Sequence, residues 1–83
     1  MGKKKRFRKP FDIVIVGGLG HVGLPLGIVF ADKGMNVCLY DLDSEKTELV
    51  KRGIMPFMEY GAEPMLKRVI KNGKLSVSRD MEC

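Results

Sequence analysis

Histidine and cysteine are scarce here, with one His and two Cys among 83 residues. The two thiols are Cys38, inside an apolar run, and Cys83 at the terminus, too far apart in sequence to suggest a disulfide framework or a metal-ligand cluster. A lone His21 without a neighbouring acid or nucleophile gives no catalytic constellation. Internal repeats are absent, and the only compositionally biased segment is a basic head. The length excludes more than one small domain, which buries only about 60% of its unfolded surface and is marginally stable. An N-myristoylation signal is excluded because Arg6 stands where that signal needs Ser or Thr.

What is present is charge at one end and glycine near it. The formal net charge is +5, yet Lys3, Lys4, Lys5, Arg6, Arg8 and Lys9 crowd into the first ten residues, and from Phe11 onward the balance is −1. Residues 1–10 are therefore expected to be a disordered basic tail, and residues 11–83 a nearly neutral folded unit with no specific affinity for nucleic acid. A basic head before an uncharged stretch also fits a signal anchor, and Ile13 to Ala31 could nearly span a bilayer. Against that, the stretch holds five glycines, Pro25 and His21. The reading adopted is a cytoplasmic protein without a membrane partner.

The organising stretch is Phe11 to Asp41. The β-branched run Ile13-Val14-Ile15-Val16 predicts a strand, apolar at every position as in a strand covered on both faces. Gly18, Gly20 and Gly23 follow in G-x-G-x-x-G spacing. A helix is expected from about Gly20 to Lys33, with Val22, Leu26, Val29 and Phe30 on its buried face, and a second strand over Asn36 to Asp41. In this context the spacing has a mechanism. Gly18 would make the tight turn, Gly20 would let a pyrophosphate approach the backbone, and Gly23 would let helix and strand pack closely. First-turn amides, including those of His21 and Val22, would meet the phosphates, and Asp41 would accept from the adenosine ribose hydroxyls. A carboxylate there repels a 2′-phosphate, so the cofactor expected is NAD, not NADP. A glycine-turn βαβ unit with no nucleotide is the plainer alternative.

Further on, Asp43 is placed to cap a second helix running to about Arg52. Ile54 to Met58 reads as an extended loop packing on the sheet, since Pro56 breaks a helix. A third helix is expected over about Ala62 to Asn72, with Met65, Leu66, Val69 and Ile70 as its buried stripe, and a weak third strand over Lys74 to Ser78. Pro25 predicts an irregular or bent start to the first helix. The fold class is α/β, a partial Rossmann (doubly wound) fold with a three-stranded parallel sheet in the order β-α-β-α-α-β.

Two blocks carry a family resemblance: Gly18-Leu19-Gly20-His21-Val22-Gly23-Leu24-Pro25-Leu26 and Pro56-Phe57-Met58-Glu59-Tyr60-Gly61. With Asp41 between them, the chain resembles the N-terminal half of the NAD-binding domain of the UDP-glucose/GDP-mannose dehydrogenase family, NAD-dependent nucleotide-sugar dehydrogenases that serve polysaccharide biosynthesis. The resemblance implies that Gly18, Leu19, Gly20, His21, Val22 and Gly23 bind the NAD pyrophosphate, that Asp41 binds the adenosine ribose, and that Lys46 stands near the adenosine end. His21 replaces the Tyr usual at its place. Glu59 is expected to cap or brace the third helix. The family oxidises a sugar C6 alcohol twice, through a thiohemiacetal and a thioester on a catalytic Cys. The residues for that chemistry lie beyond the point where this sequence stops, so the nucleotide sugar is a partner only through domains outside it. A fragment of such an enzyme is the expectation, with self-association or the rest of the parent enzyme completing the sheet. A stand-alone, non-catalytic binding module and a membrane-anchored small protein are the rivals.

Overall fold

The computed structural model describes residues 11–79. The basic head at 1–10, with its expected disorder, and residues 80–83 lie outside the described residues. Six elements follow in the order expected. They are β1 (Ile13–Val16), α1 (Gly23–Asp32), β2 (Val37–Tyr40), α2 (Ser44–Lys51), α3 (Ala62–Lys71) and β3 (Leu75–Ser78). The strands form one parallel sheet in the order β1-β2-β3, with Ile13 opposite Val37, Val16 opposite Tyr40, and Tyr40 opposite Ser78. This is the expected α/β architecture.

Parallel neighbours need a helical crossover, and right-handed crossovers stepping in one direction lay their helices on one face of the sheet. There α1 packs on β2 and on α3. Leu19, Leu24, Ile28, Ala31, Val37, Leu39, Val50, Leu66, Val69 and Leu75 form the core they enclose. The opposite face of β1 has no such cover among the described residues. Val14 is 51% exposed and Val16 72%, while Ile13 and Ile15 pack against the core. The expectation of a strand covered on both faces is therefore corrected to one covered face, because the helices here lie only where the two crossovers put them.

The buried face of α1 also differs from the one expected. Leu24, Gly27, Ile28 and Ala31 point inward; of the expected set only Phe30 packs against the core, half-buried, and Val22 (78%), Leu26 (46%) and Val29 (43%) point outward. Both sets have helical spacing, since this helix is apolar nearly all round, so periodicity could not choose between them. Gly27 decides the matter: a Cβ there would lie 2.7 Å from Leu39 Cδ2, so the backbone sits flush on β2 only along this face. Pro25 raises no conflict, because α1 begins at Gly23 and the irregular backbone lies before it, at Gly20 to Val22. A proline in a first turn removes an amide that has no intrahelical acceptor anyway.

Local capping fixes the rest. Asp43 Oδ1 accepts from the Lys46 amide at 3.0 Å, and the buried Thr47 hydroxyl donates to the Asp43 carbonyl at 2.8 Å. For α3 the expected brace, Glu59, is replaced by Glu63, whose Oε2 accepts from the Met55 amide at 2.8 Å. Glu59 contributes only its carbonyl, which accepts from Ala62 N at 3.1 Å. Lys67 Nζ donates to the Gly53 carbonyl at 2.8 Å, so the first part of the loop before α3 is tied to α3 at Gly53 and Met55. Met55 and Phe57 pack against the core as expected of that loop, but Met58 is 93% exposed. Arg68 pairs with Asp32 at 2.7 Å across α3 and α1, an exposed contact worth about 0–1 kcal/mol. Cys38, buried in β2, is disulfide-bonded. This differs from the expectation that cysteines so far apart suggest no disulfide framework, and the other cysteine of the sequence, Cys83, lies outside the described residues. The stretch from Ile13 to Ala31 is divided between β1, a turn and α1, and no helix among the described residues is long and apolar enough to cross a membrane.

Candidate functional site

The glycine turn sits between the C-terminal end of β1 and the start of α1, where open parallel sheets bind ligands. Its conformation is divided among the glycines differently from the expectation. Gly17, not Gly18, takes the left-handed backbone, with φ 69°. Gly18 is needed for space, as a Cβ there would meet Ile15 O and Leu39 Cβ, each at 2.8 Å. Gly23 is likewise closed in, by Gly18 Cα at 3.0 Å and Gly17 O at 3.1 Å, which is the close helix-to-strand packing expected of it. Gly20 is open: the nearest atom to a Cβ there is Gly17 O at 3.6 Å. The fold itself does not require glycine at 20, so the space beside it is available to an incoming group.

The amides of this turn fall into two sets. Gly17 and Gly18 donate to the Tyr40 carbonyl, Gly20 to the Gly17 carbonyl, and Leu19 to Asp41 Oδ2 at 3.1 Å. Leu19 is fully buried, so its part in the site is to hold the turn from beneath. The amides of His21, Val22 and Gly23 meet no acceptor among the described residues, and the next bond is Leu24 N to Gly20 O. These are consecutive, unpaired donors at the positive end of a helix dipole. Unlike α2 with Asp43 and Glu45, or α3 with Glu63, α1 has no side-chain cap and no acidic residue in its first turn. The chain thus supplies an anion to two of its helices and leaves the third open.

Asp41 lies at the end of β2, next to this turn. Its Oδ2 accepts from Leu19 N and its Oδ1 from Asp43 N at 3.0 Å, and each oxygen retains acceptor capacity for a hydroxyl. A hollow of about 250 Å³ lined by Val16, Gly17, Tyr40, Asp41 and Leu42 opens beside it. Leu42, 68% exposed, was not singled out in the sequence, although its place directly after the acid was the available signal. Lys46 gives its amide to the α2 cap, and its ammonium group meets no partner among the described residues. The structure therefore brings the glycine turn and Asp41 together and leaves Lys46 in the first turn of α2. Phe57 also belongs here: its ring stacks on His21 with centroids 4.1 Å apart and planes at 25°. A concavity of about 540 Å³ along Ser44, Glu45, Glu48, Leu49 and Arg52 is an open trough on α2 that shares no lining residue with the glycine turn. No cluster able to hold a metal ion occurs among the described residues.

Known proteins align with this site. The model for the UDP-glucose/GDP-mannose dehydrogenase family, NAD binding domain, matches residues 12–83. A UDP-N-acetyl-D-mannosamine dehydrogenase of Pyrococcus horikoshii is 38% identical over 69 residues, covering 83% of this chain and 16% of the relative. A UDP-glucose 6-dehydrogenase of Rhizobium meliloti is 34% identical over 65 residues, covering 78% of this chain and 15% of the relative. Among solved structures, a ternary complex of GDP-mannose dehydrogenase from Pseudomonas aeruginosa superposes with a TM-score of 0.78 at 34% identity, covering 82% of this chain and 15% of that one. The chain spans about 16% of the length of such relatives.

Proposed function

The chain belongs to the UDP-glucose/GDP-mannose dehydrogenase family, within its NAD-binding domain, and from that membership we propose that the described residues hold the ADP half of NAD. The pyrophosphate lies on the amides of His21, Val22 and Gly23 over the open Gly20, the adenosine ribose on Asp41, and the base in the hollow beside Leu42, with Lys46 near the adenosine end. Gly18 and Leu19 shape the turn from behind. The observation that carries this reading is the uncapped helix start: consecutive unpaired amides beside a carboxylate that already bonds to the same turn.

The cofactor, when bound, accepts a hydride, and the chain's own residues bind and orient it. We assign the oxidation of a nucleotide sugar at C6 to a longer protein of which this sequence is a part, because the relatives are several times longer, both are named dehydrogenases of a UDP-sugar, and one is named a 6-dehydrogenase. The nucleotide sugar and the rest of that enzyme are its further partners. A stand-alone module, the rival reading, has no observation in its favour. A cytoplasmic location is consistent with NAD chemistry, although the bonded Cys38 lends it no support.

Calorimetric titration of the 83-residue chain tests the assignment. Half a site supplies half the contacts, so the expected dissociation constant for NAD is about a millimolar, or about 4 kcal/mol of binding. NADP should bind at least about tenfold more weakly, since its 2′-phosphate would meet Asp41. Equal affinities would refute the cofactor choice.

A further inference from the structure

His21 is exposed, and its ring makes one contact that links the glycine turn to another part of the fold. It stacks on Phe57, which is itself half-buried against the core. The loop carrying Phe57 is anchored from α3 by the Glu63 carboxylate on the Met55 amide, and at its start by Lys67 on the Gly53 carbonyl. A line of contacts therefore runs from α3 through Glu63, Met55 and Phe57 to His21, whose amide opens the set of unpaired donors. Turns with this much glycine lose more conformational freedom than others when they order. Donors act best on an anion when their orientation is settled before it arrives.

We propose that His21 and Phe57 act together as positioning residues for the dinucleotide pyrophosphate, their stack fixing the peptide groups on either side of His21 so that the amides of His21 and Val22 face the phosphates. The proposal rests on the pyrophosphate site assigned above and extends it to a loop distant in sequence. It accounts for an exposed ring, His21, stacked on a half-buried one, Phe57, that reaches the glycine turn from the edge of the core. It also predicts that the requirement at position 21 is a flat ring, not an imidazole.

The test is a double-mutant cycle on the 83-residue chain, using nitrogen-15 amide shifts at residues 20–24 to follow titrations with NAD and with inorganic pyrophosphate. His21→Ala and Phe57→Leu should each weaken both ligands about three- to tenfold, the range of an aromatic pair. The double variant should be no weaker than the weaker single, and His21→Tyr should bind within about twofold of the parent. Equal losses for NAD and pyrophosphate identify a positioning role, because pyrophosphate carries no ring for His21 or Phe57 to touch. Additive losses, failure of His21→Tyr to rescue, or a loss confined to NAD would overturn the proposal. If the parent chain binds NAD, Gly20→Ala weakens it and the cycle shows no coupling, only this proposal falls. If neither ligand moves the amides of the parent chain, the site assignment falls with it.

Discussion

At the scale of single residues, Gly20 and Gly23 stand in the same motif but do opposite work. Gly23→Val should unfold the turn, because a side chain there collides with the backbone of Gly17 and Gly18. Gly20→Ala should fold normally. Its Cβ meets nothing closer than 3.6 Å, and its φ is not in the left-handed region, so the unfolding free energy should change by less than about 1 kcal/mol. The same change should lower NAD affinity by about tenfold or more, and urea unfolding beside calorimetry separates the two effects. In the proposed site, Asp41 combines both roles. Asp41→Ala strands the amide of the buried Leu19, while the exposed Asp43 amide turns to water; this should cost about 1–3 kcal/mol of stability, and it should abolish discrimination between NAD and NADP. A variant that loses discrimination at full stability would show that these hydrogen bonds contribute nothing to folding.

Among the elements, α1 shows where the sequence was legible and where it was not. The strands, the order of elements, the Asp43 cap and the meeting of Asp41 with the glycine turn could be read from β-branched runs, spacing and turn chemistry. The buried face of α1 could not, because two helical stripes compete in an apolar helix and a clash at a missing Cβ, at Gly27, selects one. Glu63 in place of Glu59 turned on which carboxylate reaches the Met55 amide, a question of tertiary placement. The stack of His21 on Phe57 joins residues far apart in sequence, with no local signal. The face assignment is testable: Leu24→Ala should cost about 2–5 kcal/mol, while Val22→Ser and Val29→Ser on the outer face should each cost less than about 1 kcal/mol. The reverse ranking in chemical denaturation would restore the face expected from periodicity.

For the molecule as a whole, β1 is an edge of the sheet among the described residues, and its open face presents Val14 and Val16. Unpaired apolar edges recruit partners, so the 83-residue chain should self-associate with rising concentration, and Val16→Lys should reduce this. Sedimentation of a monodisperse 9.3 kDa species at high concentration would argue that the edge is already covered. The same chain should form no NADH from UDP-glucose and NAD, since Cys38 is buried and bonded and His21 is engaged in a stack. In the proposed function, the unpaired amides before α1 and the carboxylate of Asp41 hold the ADP half of NAD. An amide-resolved NMR titration with NAD addresses it most directly. Saturable shifts are expected, with a dissociation constant of about a millimolar, concentrated at His21, Val22, Gly23, Asp41 and Leu42. Shifts absent from those residues, or the same shifts and affinity with NADP, would contradict it.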